Sequence, residues 1–281
     1  MKKTTPANRS TAASNPVDAK GSAASAASLC DAEAGLCELP GPALGRAEPR
    51  SDKGRGEVLY VGDPMCSACW GISPALAHLE AAAAMRRIPF RIVVGGLRAG
   101  GGDAWTPDFR DFLRHHWEET GARTGQPFST RFMDRASFDY DTEPACRAFV
   151  VLREMLDDRG GSATGAYEVF AAIQRKFYAD AEDPTVTSFY RSICAAYDLD
   201  FSTFVRRFEH ADSKRATAVE FQEARALGVR AFPTVLYRDA ASARVLAIGH
   251  ATGAGLADAL DAATTSVRRP AARRDSRPAG L

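Results

Sequence analysis

Apolar residues fall into blocks whose spacing changes along the chain. Val58-Leu59-Tyr60-Val61 is an unbroken apolar run, and Phe90-Arg91-Ile92-Val93-Val94 is nearly one. Runs of this length suit strands covered on both faces. Glu57 to Val61 therefore reads as a first strand, Ile72 to Met85 as a helix, and Phe90 to Val94 as a second strand, parallel to the first through a right-handed crossover. From Trp105 to Glu209 the spacing becomes helical throughout: Phe109, Phe112, Leu113, His116 and Trp117, then Cys146, Phe149 and Val150, then Phe170, Ile173 and Phe177. Gly121, Gly125, Gly160, Gly161 and Pro184 divide this stretch into about four to six helices. A helix over Lys214 to Leu227 follows. Val235 to Arg238, a turn at Asp239 to Ser242, and Val245 to Ile248 then read as an antiparallel hairpin, and Leu256 to Val267 closes as a last helix. The fold class is α/β, with one domain over residues 55–267 and a helical insertion over about 103–212. Residues 1–54, rich in Ala, Ser, Gly and Pro, and the basic end 268–281 show no period and read as disordered tails.

Composition narrows the function classes. Hydrophobic residues make up 45% of 281, enough for a full core, and the formal net charge of +1 gives no reason to expect nucleic acid or an acidic membrane as partner. Lys2 and Lys3 are followed by Thr, Ala, Ser and Asn without the apolar run of an export signal. No stretch reaches the ~18 apolar residues of a membrane span, so a cytoplasmic location is expected. Six cysteines are too few for a disulfide scaffold in a chain of this size.

The chemistry concentrates in Met65-Cys66-Ser67-Ala68-Cys69-Trp70-Gly71, directly after the first strand. If the helix starts at Cys66, its unpaired N–H groups and positive dipole end point at that sulfur. A free cysteine, with a pKa of about 8.5, is only ~3% thiolate at neutral pH, whereas a pKa of ~6 makes it ~90% thiolate, and the thiolate is the nucleophile. Cys69, one turn on, can close a disulfide with it. Zinc would need a second ligand pair, and His78, nine residues on, is poorly placed. Cys30 and Cys37 can be read as a second redox pair, as a tail thiol that exchanges with the Cys66–Cys69 site, or as two exposed thiols in the tail. The last is preferred, because Asp31 and Glu33 disfavour a thiolate by like charge. Cys146 and Cys194 lie on apolar helix faces and read as core residues. His115 and His116 point to different faces. Gly95, Gly96, Gly100, Gly101 and Gly102 read as a flexible exit from a buried strand, since no phosphate-binding motif accompanies them.

Two prolines sharpen the reading. Pro74, five residues after Cys69, should kink its helix, and Phe232-Pro233-Thr234 opens the later strand. Together with Gly62-Asp63-Pro64-Met65-Cys66-Ser67-Ala68-Cys69-Trp70-Gly71 and the long helical insert, these features resemble the DsbA family of thiol–disulfide oxidoreductases. The similarity covers about Glu57 to Leu260 and is nearest to the branch without an export signal, described as predicted protein-disulfide isomerases. It implies a thioredoxin fold with a large all-helical insertion. Cys66 is then the exposed attacking thiol and Cys69 the more buried resolving one. Pro233 would be cis beside them, Thr234 or the backbone before Pro233 would pair with an extended substrate, and Met65, Trp70 and Phe232 would form an apolar rim. Asp63 would relay a proton to Cys69 or, in the preferred reading, shape the turn. No cofactor or metal is implied. The partners are proteins carrying disulfides or thiols, with an external thiol such as glutathione or thioredoxin for recycling. Strongly oxidising members carry a histidine between the cysteines, where this chain has Ser67 and Ala68, so a weaker oxidant is expected. Two rivals are a glutathione-using enzyme resembling kappa-class transferases and hydroxychromene-carboxylate isomerases, which place serine where Cys66 stands, and a redox-sensing chaperone-like binding module.

Overall fold

The computed structural model describes residues 30–31, 33–39, 56–160, 164–240 and 242–267. The readings of 1–29, 40–55 and 268–281 as disordered lie outside the described residues. In chain order the elements are β1 (Cys30–Asp31), β2 (Leu36–Glu38), β3 (Glu57–Gly62), α1 (Ser67–Gly71), α2 (Ser73–Met85), β4 (Phe90–Val94), α3 (Pro107–Thr124), α4 (Glu143–Asp158), α5 (Thr164–Tyr178), α6 (Arg191–Ala196), α7 (Phe201–Glu209), α8 (Ala211–Ala226), β5 (Ala231–Phe232), β6 (Thr234–Arg238), β7 (Ala243–Ile248) and α9 (Gly253–Val267). Two short 3-10 turns, Thr130–Asp134 and Thr187–Tyr190, lie within the helical insert.

The central sheet has the order β4-β3-β6-β7. β3 pairs parallel with β4 and antiparallel with β6, which in turn pairs antiparallel with β7. Val58 through Val61 are all fully buried, as a strand with helices over both faces demands. α2 packs along α9, and α8 runs beside β4 with α4 against it. α8 is also tied to the sheet by charge. Glu220 Oε2 accepts the Val94 N–H at 2.9 Å and pairs with Arg153, while Glu223 accepts a two-pronged contact from Arg91. No helix among the described residues is long and apolar enough to cross a membrane.

The helical insert starts cleanly. Thr106 Oγ1 accepts the Phe109 N–H at 3.2 Å, Pro107 opens α3, and Gly125 ends it in the left-handed conformation at φ 74°. The aromatic residues of this insert build a second core from Phe109, Trp117, Phe132, Phe138, Tyr140 and Phe177, which Met65 and Trp70 join. The helix predicted after the cysteines is broken at Ile72, as Pro74 demands. Proline has no N–H, and its ring crowds the carbonyl four residues back. That carbonyl, on Trp70, accepts the Gln126 Nε2–H at 3.0 Å instead.

Two expectations change. Residues 30–31 and 33–39 are not a disordered tail but form two paired strands, of which the inner one, β2, adds antiparallel to β5 in a second, three-stranded sheet of order β1-β2-β5. Composition misses this because a short strand needs little hydrophobicity when an open sheet edge supplies its partners. Gly95 and Gly96 are likewise not a flexible exit. A Cβ on Gly95 would stand 1.8 Å from the Phe232 ring, and one on Gly96 2.8 Å from the Phe221 ring, so these glycines make room for aromatic side chains.

Gly95→Ala should therefore destabilise the chain by about 2–3 kcal/mol in urea unfolding. Phe232→Leu should cost less in that background than alone, by about 1 kcal/mol or more. Additive costs would mean the two positions do not share space.

Candidate redox-active site

β3 delivers the chain to the site through Gly62 and Asp63. A Cβ on Gly62 would lie 2.5 Å from Tyr60 Oη and 3.1 Å from Cys69 Sγ, so only glycine lets tyrosine and sulfur close in here. Asp63 is fully buried and organises the turn. Its Oδ1 accepts the Met65 N–H at 2.8 Å, and its Oδ2 accepts the Leu97 N–H at 2.7 Å and the Cys146 S–H at 3.4 Å. The Cys66 N–H donates to the Asp63 carbonyl at 3.1 Å. The Tyr140 hydroxyl donates to the Met65 carbonyl at 2.9 Å. Desolvation raises the Asp63 pKa, against the two backbone donors that hold it down.

Cys66 is the N-cap of α1, in extended conformation, and its Sγ accepts the Cys69 N–H at 3.4 Å. Cys66 and Cys69 are both free thiols. Across the site the Phe232–Pro233 peptide is cis, and the Phe232 carbonyl lies 4.0 Å from Cys66 Sγ. The N-cap geometry is the one the sequence predicts. The exposure is not: Cys66 and Cys69 are both 0% accessible. Burial pushes the Cys66 thiol well above its ordinary value, and the adjacent Cys69 and the Asp63 carboxylate push the same way. The Cys69 N–H alone opposes them among the strong influences. The expected depressed pKa is thus reversed in this closed arrangement, because loss of water outweighs one hydrogen bond from the helix start.

The N-terminal hairpin forms part of the cover. Cys37 stands opposite Phe232, and Glu38 opposite Ala231. The Leu39 N–H donates to the Arg230 carbonyl at 2.6 Å. Farther out, Arg123 donates to the Glu33 carbonyl, and the turn at Ala34 and Gly35 rests on Gly249 and His250. Cys30 and Cys37 are joined by a disulfide, which corrects their reading as two exposed tail thiols, and Cys37 is fully buried. His116 comes to the same place from α3. Its ring nitrogen lies within 4.8 Å of both hairpin sulfurs, and its Nε2, buried, has no hydrogen-bond partner. This trio is a metal-ligand grouping among the described residues, although its two sulfurs are bonded to each other. His115 faces outward to Glu119 at 3.1 Å, so the two histidines do point apart.

The other expected site residues are present but not as a rim. Phe232 and Thr234 are buried, and Thr234 Oγ1 donates to the Ala231 carbonyl at 2.6 Å. Met65 and Trp70 belong to the second core, where Trp70 Nε1 donates to the Pro127 carbonyl at 3.0 Å. Asp63 engages Met65, Leu97 and Cys146, which matches its role in the turn. Three neighbours were not anticipated: Cys146, which reads as core but bonds Asp63; Tyr60, whose hydroxyl lies against Cys69; and His116. Each comes from a helix or strand position that packing alone would explain, so spacing carries no sign of it.

No protein-family profile and no curated protein matches the chain. Solved structures do. A candidate protein disulfide isomerase from Nitrosomonas europaea is 27% identical, with 76% of this chain and 99% of that one covered at a TM-score of 0.67. The cytosolic disulfide reductase DsbM from Pseudomonas aeruginosa aligns at 21% identity, over 75% of this chain and 99% of its own, with a TM-score of 0.60. A candidate DsbA oxidoreductase from Streptomyces coelicolor aligns at 16% identity, over 80% and 98%, with a TM-score of 0.57.

Burial holds His116 down at about 4, so it folds neutral. A pKa depressed in the folded state contributes stability above the unfolded value near 6.5 that is lost as pH falls toward 4. The loss should be on the order of 3 kcal/mol in urea titrations at the two ends of that window. His116→Gln should lack it, and an equal loss in that variant would place the titration elsewhere.

Proposed function

We propose, for a chain that belongs to the DsbA family of thioredoxin-fold thiol–disulfide oxidoreductases, that Cys66 and Cys69 exchange disulfides with protein substrates as a reductase or isomerase. The observation that carries this reading is the pair of free thiols one turn apart at the start of α1, with the Cys69 N–H on Cys66 Sγ. A Cys66 thiolate attacks one sulfur of a substrate disulfide. The new S–S bond forms as the old one breaks, and the electron pair leaves on the substrate's second sulfur. Cys69 then attacks Cys66 Sγ, releasing the substrate as a dithiol and leaving Cys66 bonded to Cys69. In isomerisation the substrate's own thiol resolves the bridge instead.

An extended substrate segment fits the β5 edge at Phe232, beside Pro233 and Thr234, as an added strand. Met65 and Trp70 support the site from the second core. Asp63 fixes the turn that presents Cys66, and its burial beside Cys146 leaves it a buried acid near the dithiol, able to exchange a proton as the sulfurs change state. Glutathione or thioredoxin returns the dithiol to its reduced form. No further cofactor or metal enters the scheme. A cytoplasmic setting suits Ser67 and Ala68, which give the Cys66 thiolate no histidine neighbour and so make the dithiol a better electron donor, kept reduced there by external thiols.

Cys66→Ser should abolish insulin reduction, and Cys69→Ser should accumulate mixed disulfides visible on non-reducing gels. Retained turnover in Cys69→Ser would reverse the two roles. The reduction potential should lie nearer the roughly −180 to −270 mV of isomerases and thioredoxin than the −120 mV or so of the strong periplasmic oxidant. A value at the oxidant's level would exclude the reductase reading.

A further inference from the structure

The hairpin lies where the proposed mechanism puts a substrate. Its inner strand adds antiparallel to β5, and the residue opposite Phe232 is a cysteine already in a disulfide. The Phe232 carbonyl is 4.0 Å from Cys66 Sγ, Cα atoms of β2 and α1 come within 8 Å, and Cys37, Cys66 and Cys69 belong to one buried cluster. Four separate contacts hold the segment there: Leu39 on Arg230, Cys37 opposite Phe232, Glu33 on Arg123, and Gly35 against His250. A tail lying at random would not bring its disulfide-bonded strand to the β5 edge next to α1.

We propose that the Cys30–Cys37 disulfide is a tethered substrate of the Cys66–Cys69 dithiol, so that the enzyme carries its own second redox pair and the hairpin covers the site until exchange releases it. The inference rests on the assignment of Cys66 as nucleophile given above. Strand order fixes which sulfur is attacked. Cys37 is on β2, between β5 and the outer strand β1 that carries Cys30. Cys66 gives up its proton and bonds to Cys37 Sγ. The Cys30–Cys37 bond breaks, and its electron pair leaves on Cys30, which takes up a proton. The proton that Cys66 loses balances the one that Cys30 gains, and the His116 ring lies beside the hairpin sulfurs as a neutral neighbour. Cys69 then attacks Cys66 Sγ, and Cys37 departs as a thiol.

The balance is two thiols and one disulfide on each side. The dithiol Cys66–Cys69 is oxidised, the Cys30–Cys37 disulfide is reduced, and no outside oxidant enters. An external thiol of the glutathione class later restores the Cys66–Cys69 dithiol. Where thiols are kept reduced, a disulfide that persists is catalytic or redox-sensing, in keeping with this role. Reduction of the hairpin removes the cross-link between its strands and so loosens β2 from the β5 edge that an outside substrate needs.

The test uses the full chain with Cys69→Ser, acid-quenched, alkylated and mapped by non-reducing mass spectrometry. A Cys66–Cys37 bridge is expected within the chain, in a fraction unchanged over about a hundredfold dilution because the partners are tethered, and absent when Cys37→Ser is added. Alkylation of Cys66 by iodoacetamide should rise about tenfold in Cys30→Ser/Cys37→Ser relative to wild type, as the loosened hairpin admits reagent. If Cys69→Ser captures an added insulin chain but leaves Cys30–Cys37 intact, the site works and the tethered-substrate inference is wrong. If it captures neither, Cys66 is not a nucleophile and both readings fall. An alkylation rate unchanged by loss of the hairpin disulfide would overturn the covering role.

Discussion

Backbone pairing between the strand at Cys37 and the strand at Phe232 closes the sheet edge beside Cys66, and the electrostatics of the dithiol follow from that closure. Water is excluded from Cys66 by β2 and β5 on one side and by the second core behind Met65 on the other. Two influences then compete at one sulfur. The Cys69 N–H at the start of α1 favours a thiolate, and burial with Asp63 nearby disfavours it. Burial dominates, so the balance at Cys66 lies toward the thiol while the edge remains paired.

The dithiol also sits at a seam. Cys66 and Cys69 belong to the core built around β3, while their sequence neighbours Met65 and Trp70 belong to the aromatic core of the insert. The chain crosses from one to the other within a few residues, and the crossing is held by hydrogen bonds more than by apolar contact. Asp63 gathers Met65, Leu97 and Cys146, Tyr140 holds the Met65 carbonyl, and Gln126 takes the Trp70 carbonyl that Pro74 leaves open. The insert is therefore more than a lid, because three of these five contacts come from it. Removing the Tyr140 hydroxyl takes the side-chain donor from the buried Met65 carbonyl, at a cost of about 1–3 kcal/mol, and would shift the dithiol besides.

Much of this was legible in the order of residues. The runs at Val58 and Phe90 mark central strands because a buried strand must be apolar on both faces, and Cys66-Ser67-Ala68-Cys69 after the first of them marks the helix start. Pro74 announces the break at Ile72 through its missing N–H. What could not be read is whatever depends on distant segments meeting. Gly95 is indistinguishable from a loop glycine until the Phe232 ring is placed over it. Cys146 looks like any small core residue until Asp63 reaches it. Residues 30–39 have a tail's composition, and only the edge of β5 makes Leu36–Glu38 a strand.

Burial of Cys66 is compatible with its proposed role because the two influences on it differ in permanence. The Cys69 N–H lies within the same turn of chain and stays with the sulfur however the surroundings move. Part of the burial depends on a strand of three residues, Leu36–Glu38, whose pairing is confined to a short edge and lies within reach of local opening. When that strand leaves, water returns to the sulfur and its pKa falls toward the range set by the helix start. An exposed thiolate would be open to any oxidant it met, since oxidation follows thiolate character and access. Covering Cys66 keeps it neutral at rest, and because the cover carries a disulfide of its own, the chemistry that the thiol performs can also remove the cover.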